Sequence, residues 1–178
     1  MTAQMTDLPG HAVGMRLYRG VYLAAASVIV GAVEVGPGTS IWPFVSIRGD
    51  VAAVRIGARC SIQDHVMIHT RTGEDLDIGD EVVMGHQACV HCREVGRRSL
   101  IGIGATVLDG AVLGEGCMVA AGAVVRPGDQ IEPGTLVAGV PAKPIRRVTA
   151  ADTAYIGRIV AAYQELAQRH LKGEFARG

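Results

Sequence analysis

Residues 95–137, VGRRSLIGIGATVLDGAVLGEGCMVAAGAVVRPGDQIEPGTLV, repeat a pattern every six positions. One column, Val95, Ile101, Val107, Leu113, Val119, Val125, Ile131 and Val137, is aliphatic throughout. Four places after each aliphatic residue comes a column of mostly small ones: Ser99, Ala105, Ala111, Cys117, Ala123, Asp129 and Thr135. A third column is glycine at 104, 110, 116, 122, 128 and 134. A glycine at a fixed place in every repeat marks a corner that needs a positive φ, which glycine adopts at little steric cost. Short strands joined by tight corners, three to a turn, therefore stack into a parallel β-helix with 18 residues to a coil. The spacing is too regular for the strands of a sandwich.

Working outward, the same frame runs through Ile29, Val35, Ile41 and Ile47, then Ile56, Ile62 and Ile68, then Ile78, Met84 and Val90. It breaks around 51–55, 71–77 and 93–94. This pattern resembles the hexapeptide-repeat family, which implies an all-β solenoid, a left-handed parallel β-helix of triangular section. The hand is taken from that resemblance, as a known kind of exception to right-handed crossovers. The β-helix is expected over 18–142, after an N-terminal segment 1–17 that carries no clear signal. Pro144 is expected to end the extended run. Thr149 to Asp152 then reads as a capping box opening a C-terminal α-helix over 149–172. Tyr155, Ile159, Tyr163 and Leu166 lie on one face of it, to be packed on the flank of the β-helix or on a neighbouring chain.

Charge excludes some partners. Seventeen basic and 17 acidic residues give a formal net charge of zero, which argues against a nucleic-acid or membrane-surface partner. The uncharged stretch Gly20–Val33 is too short to span a bilayer and runs into the repeat, so it reads as structure, not as a leader. The four cysteines, Cys60, Cys89, Cys92 and Cys117, are then expected as reduced thiols in a cytoplasmic protein. Cys60 and Cys117 fall in the small column and read as core.

Three of the six histidines, His69, His86 and His91, lie within one short stretch. Let Ile47 begin face one of the triangle, Ile56 face two and Ile62 face three. Ile68, Ile78, Met84 and Val90 then begin faces one, two, three and one. His69 and His91 each follow a face-one residue, so their backbones stack about 4.8 Å apart in successive coils. His86 follows a face-three residue by two places and cannot easily join them within its own chain. A symmetric neighbour can supply it, completing three-histidine sites at the interfaces of a homotrimer. Three imidazoles leave a fourth position for water, the arrangement of catalytic zinc. One coil earlier, Arg48 takes the place of the histidine pair and Asp64 that of His86, so those two should meet across the same interface. Gln63 is positioned to hydrogen-bond a metal-bound hydroxide.

R-G-D at 48–50, I-Q-D at 62–64, I-H at 68–69 and G-H-Q-A-C-V-H at 85–91 resemble the pattern of γ-class carbonic anhydrases over roughly 20–172. The resemblance implies a trimeric left-handed β-helix that catalyses reversible hydration of CO2 to bicarbonate. It makes His69, His86 and His91 ligands of Zn2+, or of Fe2+ or Co2+ in its place. It gives Gln63 the task of orienting hydroxide, and Arg48, Asp50 and Asp64 the support of interface and site.

Departures from the pattern border that site: Ser61 stands where many relatives have Asn, and His65 and Cys92 where Gly is usual. Cys92, beside His91, is a candidate competitor for the metal, and His65 is a candidate proton relay or a solvated corner residue. The segment Arg71–Asp77 is short and lacks the long acidic loop that gives some relatives their proton-shuttling carboxylate, for which Glu74 is a candidate substitute. His11 and His170 have no motif context and read as surface residues. Two other functions fit the fold: acyl transfer from acetyl-CoA, whose enzymes commonly use one histidine as base and share endings like G-V-P-A-K at 139–143, and a non-catalytic metal-binding trimer.

Overall fold

The computed structural model describes residues 14–175; His11 lies outside them. The six-residue columns wind into a β-helix with three faces. Inward on face one lie Ile29, Ile47, Ile68, Val90, Val107 and Val125, with direct cross-strand partners from coil to coil. Val35, Ile56, Ile78, Val95, Leu113 and Ile131 form face two. Leu23, Ile41, Ile62, Met84, Ile101, Val119 and Val137 form face three. Nearly all are buried, and together with the small column they make one continuous core. Cys60 and Cys117 belong to it, as the repeat requires.

Corners follow the glycine column. Gly104, Gly110, Gly116, Gly122, Gly128 and Gly134 all have φ between 63° and 75°. In earlier coils the equivalent corners carry Phe44, Arg59, His65, Glu81, Gln87 and Arg98, also at positive φ. His65 is thus an exposed corner residue, its ring stacked on Phe44 with centroids 4.9 Å apart.

All three breaks in the frame fall at one corner, that between faces one and two. There Ile47 and Ile56 are nine apart, Ile68 and Ile78 ten, and Val90 and Val95 five, while the other two corners keep the spacing of six. The first break is no loop: the strand Ser46–Ile56 runs unbroken around the corner and pairs with Val28–Val35. At the second, Arg71 and Glu74 close a tight turn. The third removes a residue.

The outward rows differ in chemistry. Face two presents Glu34, Arg55, Asp77, Glu94, Val112 and Gln130, with Arg55 paired to Asp75 and Asp77. Face three presents Val83, Leu100 and Met118 to the helix α1, Ala150–Leu171. Face one presents Val28, Ser46, Met67, Cys89, Thr106 and Val124, none of them charged.

Three sequence expectations are corrected. The buried stripe of α1 is Ile156, Val160 and Ala167, with Ile159, Tyr163 and Leu166 at its margins and Tyr155 half exposed. The chain does not leave the extended state at Pro144, because Lys143–Arg147 forms an antiparallel edge strand on Thr135–Ala138, where a missing N–H is tolerated. Met15–Tyr18 is likewise a strand, paired with Val21–Ala24. The capping box at Thr149 and Asp152 is formed. No helix among the described residues is long and apolar enough to cross a membrane.

Candidate metal centre

His69 ends the strand Met67–His69, and His91 follows Cys89–Val90 in the next coil. Because Ile68 pairs with Val90, the two rings lie next to each other on the outside of face one, centroids 5.1 Å apart and tilted by 56°. His69 Nδ1 lies 3.1 Å from His91 Nε2. The other nitrogen of each ring is held by a carboxylate. His69 Nε2 is 3.0 Å from Asp50 Oδ1, and His91 Nδ1 is 2.5 Å from Asp109 Oδ1.

Arg48 Nη2 also comes within 3.2 Å of His69 Nε2, and Arg48 Nε donates to Asp50 Oδ2 at 3.1 Å. One ring nitrogen serves only one of these partners at a time. The carboxylate contact is shorter and charge-assisted, so Nε2–H donates to Asp50 while Arg48 steadies that carboxylate. The His69 hydrogen bond keeps the Asp50 carboxyl below its usual range.

With both outer nitrogens donating, both facing nitrogens carry lone pairs. Two lone pairs across 3.1 Å repel unless a proton or a metal ion lies between them. Bonds of 2.0–2.1 Å at tetrahedral angles put ligand nitrogens about 3.3–3.4 Å apart. The pair fits a divalent ion, with the carboxylate–histidine backing usual for metal sites.

His86 sits elsewhere, at the corner between faces three and one. Its Nδ1 lies 3.0 Å from Asp64 Oδ2 and its Nε2 3.3 Å from the Tyr163 hydroxyl on α1. Burial first, then the charge of Asp64, pushes the Tyr163 phenol up, so it stays a donor to Nε2. Among the described residues no three His, Cys, Asp or Glu side chains of one chain converge on a point. Within the chain Arg48 pairs with Asp50, and Asp64 with His86. Buried Gln63 lines an apolar groove of about 500 Å³ together with His86, Tyr163, Leu100, Met118 and Ile159.

The glycine between Arg48 and Asp50 has a steric reason. A Cβ on Gly49 would stand 2.3 Å from the Ala32 carbonyl oxygen of the adjoining strand. Cys92, by contrast, turns its thiol inward at 3% exposure, and burial pushes it up to about 12. That overturns its reading as a competitor for the metal, because a corner one residue short puts it straight into the core column. His170 is no plain surface residue either; its ring packs edge-on to Trp42, centroids 5.3 Å apart. Asp109 and Tyr163 had no metal-site signal in their own sequence context, since one belongs to the next coil and the other to the distant helix.

Residues 94–127 match the family described as bacterial transferase hexapeptide (six repeats), and the parallel coils with one C-terminal helix are its left-handed β-helix. A carbonic anhydrase of Geobacillus kaustophilus is 46% identical over 147 residues, spanning 83% of this chain and 81% of the relative. Gamma carbonic anhydrase 2, mitochondrial, of Arabidopsis thaliana is 37% identical over 156 residues; the match spans 84% of this chain but 56% of that relative's length. A solved Bacillus cereus structure, described as that of an acetyltransferase candidate, superposes with a TM-score of 0.83 at 39% identity, covering 88% of this chain and 91% of that one. The chain belongs to the γ-class carbonic anhydrase-like family of hexapeptide-repeat proteins.

Proposed function

We propose that the chain hydrates CO2 reversibly to bicarbonate at a divalent-metal centre shared between copies in a homotrimer. The observation that carries this is the facing pair His69 Nδ1 and His91 Nε2, backed by Asp50 and Asp109. His86 of a neighbouring copy is the third ligand, its Nε2 exchanging the Tyr163 hydroxyl bond of the single chain for the metal ion. The uncharged outward row of face one supports its burial against that neighbour, whereas the charged row of face two suits solvent. In the trimer Arg48 meets Asp64 across the same interface.

His69, His91 and the neighbour's His86 would hold Zn2+, or Fe2+ or Co2+ in its place, and zinc there would supply a hydroxide near neutral pH by lowering the pKa of water from 15.7 to about 7. The residues do the rest. Asp50 and Asp64 hold His69 and His86 in one tautomer, and Gln63 orients the reacting oxygen through its amide. The groove of Leu100, Met118 and Ile159 offers apolar CO2 an apolar approach to His86. Four free thiols suit a reducing compartment such as the cytoplasm.

Stopped-flow CO2 hydration by zinc-, iron- and cobalt-loaded protein tests the activity. Saturable acetyl-CoA binding without hydration would favour acyl transfer, the reading that the Bacillus cereus relative's description raises. Acyl transfer needs one histidine as base and leaves the paired one unexplained.

A further inference from the structure

The corner between Val90 and Val95 is one residue shorter than the six-residue corners beside it. Regular corners project a residue at positive φ, but none occurs between Gln87 and Arg98. Cys92 fills the inward slot at once, and the Arg93 N–H reaches down to the Ala111 carbonyl of the next coil at 3.0 Å. Asp109, two places after Val107, stands at the same corner one coil on. With no projecting residue above it, its carboxylate reaches back to His91 Nδ1.

We propose that Asp109 is a positioning residue for the metal centre, holding His91 as the Nδ1–H tautomer so that Nε2 is free to bind, and that the shortened corner at Cys92–Arg93 makes room for it. The inference rests on the metal-centre reading above. Asp109 is 45% exposed, and among the described residues its one ion-pair partner is His91. A solvated carboxylate gains little from such a pair by itself. Its placement matters for His91, because an imidazole whose second nitrogen donates to a carboxylate has a fixed tautomer, a fixed ring orientation and a more basic ligand nitrogen. Asp50 treats His69 in the same way and Asp64 treats His86, so each of the three histidines has its own carboxylate, Asp50 and Asp64 from the coil before the His69–His86 coil and Asp109 from the coil after His91.

The test compares D109A, D109N and H91A with the wild type in the full-length protein. Zinc affinity is measured by competition with a chromophoric chelator, the visible spectrum of bound Co2+ is recorded, and light scattering follows assembly. D109A should bind zinc about 10–100-fold more weakly and shift the Co2+ bands, with assembly unchanged. D109N, whose side-chain oxygen still accepts from Nδ1–H, should lose less, and it carries the test if D109A fails to fold. Zinc affinity within twofold of wild type in both Asp109 variants, with binding abolished in H91A, would overturn the role of Asp109 and leave the metal centre standing. Wild-type zinc affinity in H91A would instead sink the metal-centre reading, and this inference with it.

Discussion

His69 and His91 face each other through the one nitrogen on each ring that is not engaged by a carboxylate, 3.1 Å apart. Cross-strand register brings the two rings to this approach. Ile68 and Val90 are paired inward, so the residues after them must be stacked outward. The core thus positions the candidate ligands, and a slip of one residue on either strand would turn a histidine away from its partner.

Among the described residues Ser61 Oγ is the one fully enclosed side-chain polar atom without a partner. An orphaned hydroxyl costs about 1–3 kcal/mol in desolvation. Ser61→Ala should therefore raise stability by about 1 kcal/mol, read as a higher denaturation midpoint with unchanged cooperativity. A lower midpoint would show that the hydroxyl is paired in solution.

Gly49→Ala and Gly122→Ala separate two kinds of glycine. At Gly122, φ is +66° and a Cβ meets nothing within 4 Å, so the cost is that of the left-handed backbone, about 1–2 kcal/mol. At Gly49 the Cβ meets backbone at 2.3 Å, which forces two strands apart on both sides of Arg48 and Asp50. Chemical denaturation should rank Gly49→Ala as the more damaging, and only that variant should also lose metal affinity. Equal effects would contradict the steric reading.

Thiol labelling should find one reactive cysteine. Burial pushes the Cys92 thiol up to about 12 and that of Cys60 to about 11, and Cys117 is buried too, whereas Cys89 is only half buried on face one. At pH 8 a disulfide reagent should modify at most one thiol per folded chain, and only in dilute, dissociated protein where face one is uncovered, and C89S should abolish that reaction. Two thiols reacting before unfolding would contradict the inward placement of Cys92.

The capping box predicts an acid-sensitive helix. Asp152 accepts from Arg146 and from the Thr149 backbone, with the Arg146 contact the largest of the causes that hold its carboxyl well below the usual range. A lowered folded value means that its stabilisation is present above the unfolded carboxylate pKa of about 3.9 and fades as pH falls from there toward the folded value. Acid unfolding followed by circular dichroism should show a shallower loss below pH 4 in D152N, which lacks the titrating group. An unchanged acid limb would show that the cap adds nothing to stability.

Much of the fold was legible because the repeat leaves little freedom: a six-residue period settles which residues point inward, and the face of each follows by counting. That counting also stacked His69 on His91 and separated His86 from them. It failed where packing and not period decides. The seam of α1 lies one residue off the expected stripe, because Ile156 and Val160 pack on Val83 and Ala167 packs with Met15, Ala24 and Trp42, while Tyr155 stays outside. The strand at Met15–Tyr18 and the strand containing Pro144 pair antiparallel at the two ends of the coil, outside the period. Asp109 escaped notice because it acts on a histidine 18 positions earlier, across a corner where the frame had skipped a residue.

The proposed metal centre exists only between chains. Metal content per chain, measured on chelator-free protein alongside particle mass by light scattering, tests it most directly. About one divalent ion per chain is expected in a particle of three chains, with both lost together in dilute, dissociated protein. A monomer that keeps its metal tightly, or a trimer purified without any, would contradict it.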